Sequence, residues 1–163
     1  MRSETLQTCR PRSGFSLLEV MIVVLVLGIL AAVVVPRFAG AQAQAKDAAL
    51  QSALGGVRSS LAAFRTRAVI AGQPPFPTAE QLISPGVVAQ GELPVNPFNG
   101  LRNVQAVTLV QAQARLVVNE DAFGWNYCVD NDADPPTAIF YANSSTTTEI
   151  TGSAGSPLNA NEL

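Results

Sequence analysis

The sequence predicts an α+β fold in which one long N-terminal helix packs on a small antiparallel β-sheet. Residues 15–35 form an almost continuous apolar run, and a helical amphipathic pattern follows it. Short runs rich in β-branched and aromatic residues then alternate with turn residues, which is typical of strands. The chain has 163 residues, the length of a single domain.

Composition excludes several function classes. The net charge is −2 and no basic patch is visible, so no nucleic-acid partner is evident. The chain has no histidine, which removes Ser-His-Asp and Cys-His catalytic arrangements and His-based zinc sites. No glycine-flanked nucleophile and no phosphate-binding loop are present. We therefore predict that the protein is not an enzyme.

The first element is a short leader followed by a helix of membrane length. The leader, residues 1–14, carries three arginines and one glutamate. A helix over residues 15–36 is roughly 30 Å long, which matches the hydrocarbon core of a bilayer. The run is too long for a secretory signal, and Gly14, the small residue suited to cleavage, precedes it. The positive-inside rule then predicts a cytoplasmic N-terminus and a C-terminal body across the membrane.

Glu19 is the one carboxylate inside this apolar run. A carboxylate in hydrocarbon is costly unless it meets a cation. An acid at this position therefore needs a reason. One interpretation is an acid at the interface of an ordinary membrane anchor, but it leaves Gly14 and its spacing to Glu19 unexplained.

The sequence GFSLLEV at residues 14–20 resembles the processing site of type IV pilins and of the pseudopilins of type II secretion systems. The resemblance covers residues 11–38. It implies that a prepilin peptidase cuts after Gly14 and methylates the amine of Phe15. It also implies that Glu19 pairs with the amine of a neighbouring subunit and sets the axial register of a filament.

The same resemblance suggests a role for Gly28 and Pro36. In filaments of this family the helix loosens between a glycine and this proline, and a proline inside a helix removes one backbone hydrogen bond. Close helix packing is the alternative interpretation of Gly28, and both remain open.

The resemblance implies a structural filament subunit with a pilin-like fold. Its expected partners are copies of itself and other pilin-like subunits, prepilin peptidase, the inner-membrane assembly machinery and the lipid bilayer. The body lacks the C-terminal cysteine pair that many pilins contain, which favours a pseudopilin of a type II secretion system. The alternatives are a major or minor pilin of a type IV pilus and a signal-anchored periplasmic binding module that does not polymerise.

Residues 37–72 are predicted to continue as the amphipathic half of the stem helix. Apolar residues recur at spacings of 4, 3, 4, 3 and 4, which places them on one helical face. This stripe spans fewer than three heptads, which favours packing on a sheet over a coiled coil. Gly72 and the prolines after it end the helix. The stripe consists of Leu50, Leu54, Val57, Leu61, Phe64 and Ala68.

Residues 73–142 are predicted to form a proline-rich loop and the small antiparallel sheet. Thr78 and Gln81 fit a capping box at the start of a short helix. Strands are predicted at residues 104–110, 115–118, 124–129 and 137–142, and the last two form a hairpin. Trp125 and Phe140 are expected in the core with the stem stripe.

The remaining features carry weaker signals. Residues 143–163 contain few large apolar residues, so a flexible polar tail is predicted. Cys128 is expected to be a small apolar side chain in a strand. Asp130, Asp132 and Asp134 alternate in the predicted hairpin turn. Their oxygens suit a Ca²⁺ ion, and calcium in a C-terminal loop occurs in major pseudopilins, but a solvated acidic turn is the preferred interpretation.

Overall fold

A computed structural model of the protein describes residues 14–86 and 91–163, apart from the side chain of Ala39. The rest of the predicted leader lies outside the described residues. The chain divides into two compact units, Met1–Gly40 and Ala41–Leu163. The predicted α+β class is confirmed, since one long helix precedes several short strands.

Helix α1 extends over Leu17–Ile70 and contains Pro36. It begins after Ser16, whose carbonyl accepts hydrogen bonds from the main-chain N–H groups of Glu19 (3.0 Å) and Val20 (3.2 Å). It ends at Ile70, and Gly72, two residues further on, adopts a φ of 68°. The N–H of Gln73 donates to the carbonyl of Ala68 at 2.9 Å, as in a Schellman motif. The predicted end of the stem helix is therefore confirmed.

The predicted stripe on α1 forms one side of the core of the second unit. Leu50, Leu54, Val57, Leu61 and Ala68 are buried, and Phe64 is half-buried. On the other side lie Trp125, Tyr127 and Phe140. The rings of Trp125 and Phe140 stack with their centroids 5.1 Å apart. Both predicted components of the core are confirmed.

Among the described residues, two short α-helices follow α1, and the sequence predicted only the first. Helix α2, Ala79–Leu82, has the predicted capping box between Thr78 and Gln81. Helix α3, Leu109–Gln113, begins with a second capping box formed by Thr108 and Gln111. The predicted strand over residues 104–110 is therefore wrong beyond Ala106, because the backbone turns at this box.

The main sheet contains three strands in the order β1 (Val104–Ala106), β2 (Trp125–Asp130) and β3 (Thr137–Ala142). Strands β2 and β3 form the predicted antiparallel hairpin, with Trp125 opposite Ala142. Strand β1 pairs with β2 in parallel, so the sheet is mixed rather than antiparallel.

The predicted strand at residues 115–118 is absent from the structure. Polar side chains from elsewhere satisfy the backbone of this segment instead of a strand partner. The side chain of Asn143 accepts from the Val118 N–H at 2.9 Å and donates to the Val118 carbonyl at 2.7 Å.

The prediction of a flexible tail over residues 143–163 is wrong. The segment forms β4 (Thr147–Thr151), β5 (Pro157–Asn159) and a 3₁₀ helix, Ala160–Glu162. It is ordered by polar groups and one small apolar residue, since Asn143, Ser144, Thr148 and Ala160 are all buried. Composition missed this because hydrogen bonds, rather than large apolar side chains, hold the segment.

Candidate functional site

The N-terminal segment of α1, residues 17–38, is apolar on every side and exposed throughout. A helix that is apolar all round is normally buried in a membrane or in a large core. Among the described residues, α1 is the one helix long and apolar enough to cross a membrane, and none of its most apolar stretch is buried within the molecule. No part of the chain that the structure describes covers this segment.

The predicted cleavage point lies immediately before this helix. Gly14 and Phe15 precede Leu17, the first helical residue. The side chain of Phe15 is 83% exposed. A Cβ placed on Gly14 would meet no atom within 4 Å. Among the described residues, none packs closely on Gly14.

Glu19 lies in the first turn of α1, where the partial positive charge of the helix N-terminus favours a carboxylate. Its side chain is exposed among apolar neighbours. Within residues 14–86 and 91–163, no hydrogen bond or ion pair involves its carboxylate. Its chemistry is that of an anion on an apolar helix, which can pair with a cation from outside the described chain.

Gly28 and Pro36 both lie within α1. A Cβ on Gly28 would meet no atom within 4 Å, so nothing in the described chain packs closely on this glycine. The structure shows regular helix at both residues, and loosening between them in a filament remains a prediction.

The acidic turn does not assemble a cation site in the structure. Asp130 closes β2, and its Oδ1 accepts from the N–H groups of Asp132 (3.2 Å) and Ala133 (3.1 Å). Asp132 and Asp134 are exposed. No group of three His, Cys, Asp or Glu side chains among the described residues is arranged to hold a metal ion. The geometry is that of an aspartate-capped turn.

The sequence patterns did not predict a cavity in the second unit, which is lined in part by Arg58, Arg65 and Arg115. Arg58 and Arg65 lie two helical turns apart on α1, a spacing visible in the sequence. Arg115 comes from a distant segment, so the fold alone brings the three together.

A comparison with protein families identifies the N-terminal segment. Residues 9–35 match the family model described as the prokaryotic N-terminal methylation motif. No curated protein and no solved structure gives a significant match to the chain. The chain thus carries a type IV pilin-like prepilin motif, which supports a pilin-like structural subunit. The motif and the apolar helix fit a single-pass membrane-anchored protein.

Proposed function

We propose that this protein is a structural subunit of a pilin-type filament, and within that class a pseudopilin of a type II secretion system. It would assemble from the bacterial inner membrane to drive protein secretion. The observation that carries the proposal is Glu19, five residues after Gly14 within the matched motif. Its carboxylate lies on the exposed apolar segment of α1 and has no side-chain partner among the described residues.

The first step is processing of the precursor at the membrane. The three leader arginines would stay in the cytoplasm, and the second unit would enter the periplasm. A prepilin peptidase would hydrolyse the bond between Gly14 and Phe15 and methylate the new amine. The exposure of Phe15, and the absence of any described residue packed on Gly14, support access by such an enzyme.

The second step is the pairing of one subunit with another in the filament. Processing would leave a cation at Phe15, and the carboxylate of Glu19 lies four residues further along the chain, in the first turn of α1. An unpaired charge in an apolar environment costs several kcal/mol, so subunits would settle where the Glu19 carboxylate of one meets the Phe15 amine of another. This pairing would set the axial register of the filament.

The exposed segment would serve two environments in turn. In the membrane, lipid covers the apolar side chains of residues 17–38. In the filament, the same segments of neighbouring subunits cover one another. An all-round apolar helix suits both environments, whereas a one-sided amphipathic helix suits neither.

The second unit supports the choice of a pseudopilin over a surface pilin. Cys128 is buried in β2 as a free thiol, and residues 41–163 contain no other cysteine. No disulfide can therefore close a loop within this unit. A fibre exposed outside the cell would favour such a disulfide, because disulfides persist in oxidising environments. A pilin of a type IV pilus is the alternative that the experiment must distinguish.

The test compares wild-type protein with Glu19→Ala in cells that carry an assembly machinery. We expect wild type to form fibres, and Glu19→Ala to enter the membrane normally but form none. Glu80→Ala, at an exposed acid of the second unit, is the matched control and should assemble like wild type. Normal fibres from Glu19→Ala would refute the register role.

Imaging of the wild-type fibres separates the two filament classes. We expect short fibres confined to the periplasm, together with secretion of a folded protein that stops when the gene is deleted. Long fibres on the cell surface, with secretion unchanged by the deletion, would assign the protein to a pilus instead.

A further inference from the structure

The sequence contains one asparagine followed by glycine, the pair Asn99–Gly100 in the loop before β1. Asparagine is a thermolabile residue, because the main-chain nitrogen of the next residue can attack the carbon of its side-chain amide. Glycine in the next position favours this attack, since it has no Cβ to obstruct the approach. The pair is therefore the most reactive asparagine site in the chain whenever the main chain is free to move.

In the folded second unit, hydrogen bonds hold both reacting groups of this pair. The Gly100 N–H donates to the carbonyl of Asn96 at 2.8 Å, so the attacking nitrogen is engaged. The side-chain Oδ1 of Asn99 accepts from the Leu101 N–H at 3.1 Å. Gly100 itself is exposed, so water reaches the pair. Hydrogen bonding, rather than burial of the pair, restrains the reaction, and attack requires this loop to open.

The amide nitrogen of Asn99 also ties its loop to both strands of the hairpin. It donates to three main-chain carbonyls, at 3.1, 3.0 and 3.2 Å, which belong to Glu120, Phe123 and Asn143. The first two precede β2, and the third follows β3. A side chain that donates to three carbonyls at once is fixed in place by the completed fold.

The products of deamidation do not fit this position. A carboxylate accepts hydrogen bonds and cannot donate them, so an aspartate here would set an anionic oxygen against three carbonyl oxygens. Those carbonyls would also lose their donor. An isoaspartate lengthens the main chain by one carbon and displaces Gly100 from Asn96. Either product removes the links between the loop and the hairpin.

We propose that Asn99 is a site of spontaneous deamidation that the folded second unit keeps latent. In the unfolded chain the site reacts, and a chain that has reacted does not regain the stable native second unit. A chain that folds promptly keeps its asparagine, whereas one that stays unfolded is progressively lost from the population able to fold.

The reaction needs water and no other reagent. The Gly100 nitrogen loses its proton and forms a bond to Cγ of Asn99, while the Cγ–Nδ2 bond breaks and ammonia leaves with that proton. Water then hydrolyses the cyclic imide at one of its two carbonyls, which gives aspartate or isoaspartate. No electron transfer is involved.

The first experiment measures conversion of Asn99 in the full chain, in a nonionic detergent at mildly alkaline pH, with and without enough urea to unfold the second unit. Peptide mapping by mass spectrometry follows the exchange of the amide for a carboxyl group, and the other asparagines of the chain serve as internal references. We expect Asn99 to react fastest in urea, and at least about a hundredfold more slowly in the folded chain. This inference does not depend on filament assembly, because both states are those of the unassembled chain.

The second experiment asks whether converted chains can refold. Wild-type chain is kept in urea until about half of Asn99 has reacted and is then diluted, and a protease removes what has not refolded. We expect the protected fraction to contain Asn99 and to be depleted of its products. Conversion at the other asparagines should differ less between the two fractions. Because the comparison is made within one wild-type sample, it does not depend on whether any variant folds.

Asn99→Asp reproduces one product directly. We expect it to lower the melting temperature of the second unit by about 5 °C or more, or to prevent folding. Asn119→Asp is the matched control, because it makes the same chemical change at an exposed side chain. Its melting temperature should lie within about 2 °C of wild type.

Four results would overturn the proposal. They are equal rates of conversion at Asn99 in the folded and unfolded chain, conversion in urea no faster than at the other asparagines, equal amounts of converted Asn99 in the refolded and unrefolded fractions, and a melting temperature of Asn99→Asp equal to that of wild type.

Discussion

The two parts of helix α1 differ in the burial of their apolar side chains. In the N-terminal segment, residues 17–38, Leu25 is 64% exposed, whereas Leu54 in the second unit is 2% exposed. The second part is covered by the sheet of its own chain. The first part has no cover within the described residues. The apolar side chains of the second part are thus buried within the chain, whereas those of the first part would need another molecule to cover them.

The acids on this helix show the same contrast. Asp47 is 5% exposed, and its Oδ2 accepts from the Glu149 N–H at 2.7 Å. Glu19 has no side-chain partner in the part of the chain that the structure describes. One acid is satisfied by folding, and we propose that the other pairs during assembly.

A matched pair of leucine substitutions tests the contrast most strongly. Leu54→Ala should lower the free energy of unfolding of the second unit by about 2–5 kcal/mol, because it leaves a cavity in the core. Leu25→Ala removes the same atoms from an exposed position and should leave this free energy unchanged. Denaturant titration of the full chain in detergent, followed by the fluorescence of Trp125, the single tryptophan, measures both. A loss in Leu25→Ala equal to that in Leu54→Ala would break the comparison.

Substitution of the two acids on α1 tests the contrast with the next largest expected effect. Asp47→Ala should cost about 1–3 kcal/mol of unfolding free energy, because the Glu149 N–H loses its acceptor. Asp47→Asn keeps an acceptor oxygen and should cost less. Glu19→Ala should cost nothing in the same titration, even though we expect it to block assembly. Destabilisation of the second unit by Glu19→Ala would mean that this acid has a partner within the chain.

A smaller effect is expected at alkaline pH. Burial, with the nearby Cys128, raises the pKa of Tyr127, whose hydroxyl donates to the Pro77 carbonyl at 2.8 Å. The unfolded chain loses this proton near pH 10, whereas the folded state retains it. Stability is therefore fully present below about pH 10 and falls as pH rises towards the higher pKa of the folded state.

Tyr127→Phe should lower unfolding free energy by about 1 kcal/mol at neutral pH and make the alkaline decline shallower. Denaturant titrations at a series of pH values from neutral to alkaline measure both changes. A decline as steep as that of wild type would show that Tyr127 does not contribute to it.

The smallest effect concerns the acidic turn. Because Asp130 caps its own turn and the acids do not converge, we expect Ca²⁺ to leave the melting temperature of the full chain unchanged, with or without chelator. Asp132→Asn should also leave it unchanged. A rise with Ca²⁺ that Asp132→Asn abolishes would establish a calcium site.

Local patterns predicted α1 and the core well. The stripe that contains Leu50 and Leu54, its end at Gly72, and the Trp125–Phe140 hairpin all follow from periodicity and turn residues. Helix α3 had a readable signal, since Thr108 and Gln111 repeat the capping box at Thr78. The β-branched residues at 104–110 indicated one continuous strand, but the capping box at Thr108 ends the strand and begins helix α3.

Long-range features were not readable from the sequence. The parallel pairing of β1 with β2 depends on the connection through α3. The order of residues 143–163 depends on Asn143, whose side-chain partners lie at least 17 positions away. The cavity lined by arginines likewise forms only because the fold brings Arg115 close to α1. The processing segment was readable because its chemistry is contained in a few consecutive residues.

The most direct test is the mass of the mature N-terminus after co-expression with a prepilin peptidase. We expect the chain to begin at Phe15 and to carry one added methyl group on its amine, and a Gly14→Leu control to keep its leader. An intact wild-type leader, or cleavage at any other bond, would contradict the assignment of the exposed segment as a processed element for filament assembly.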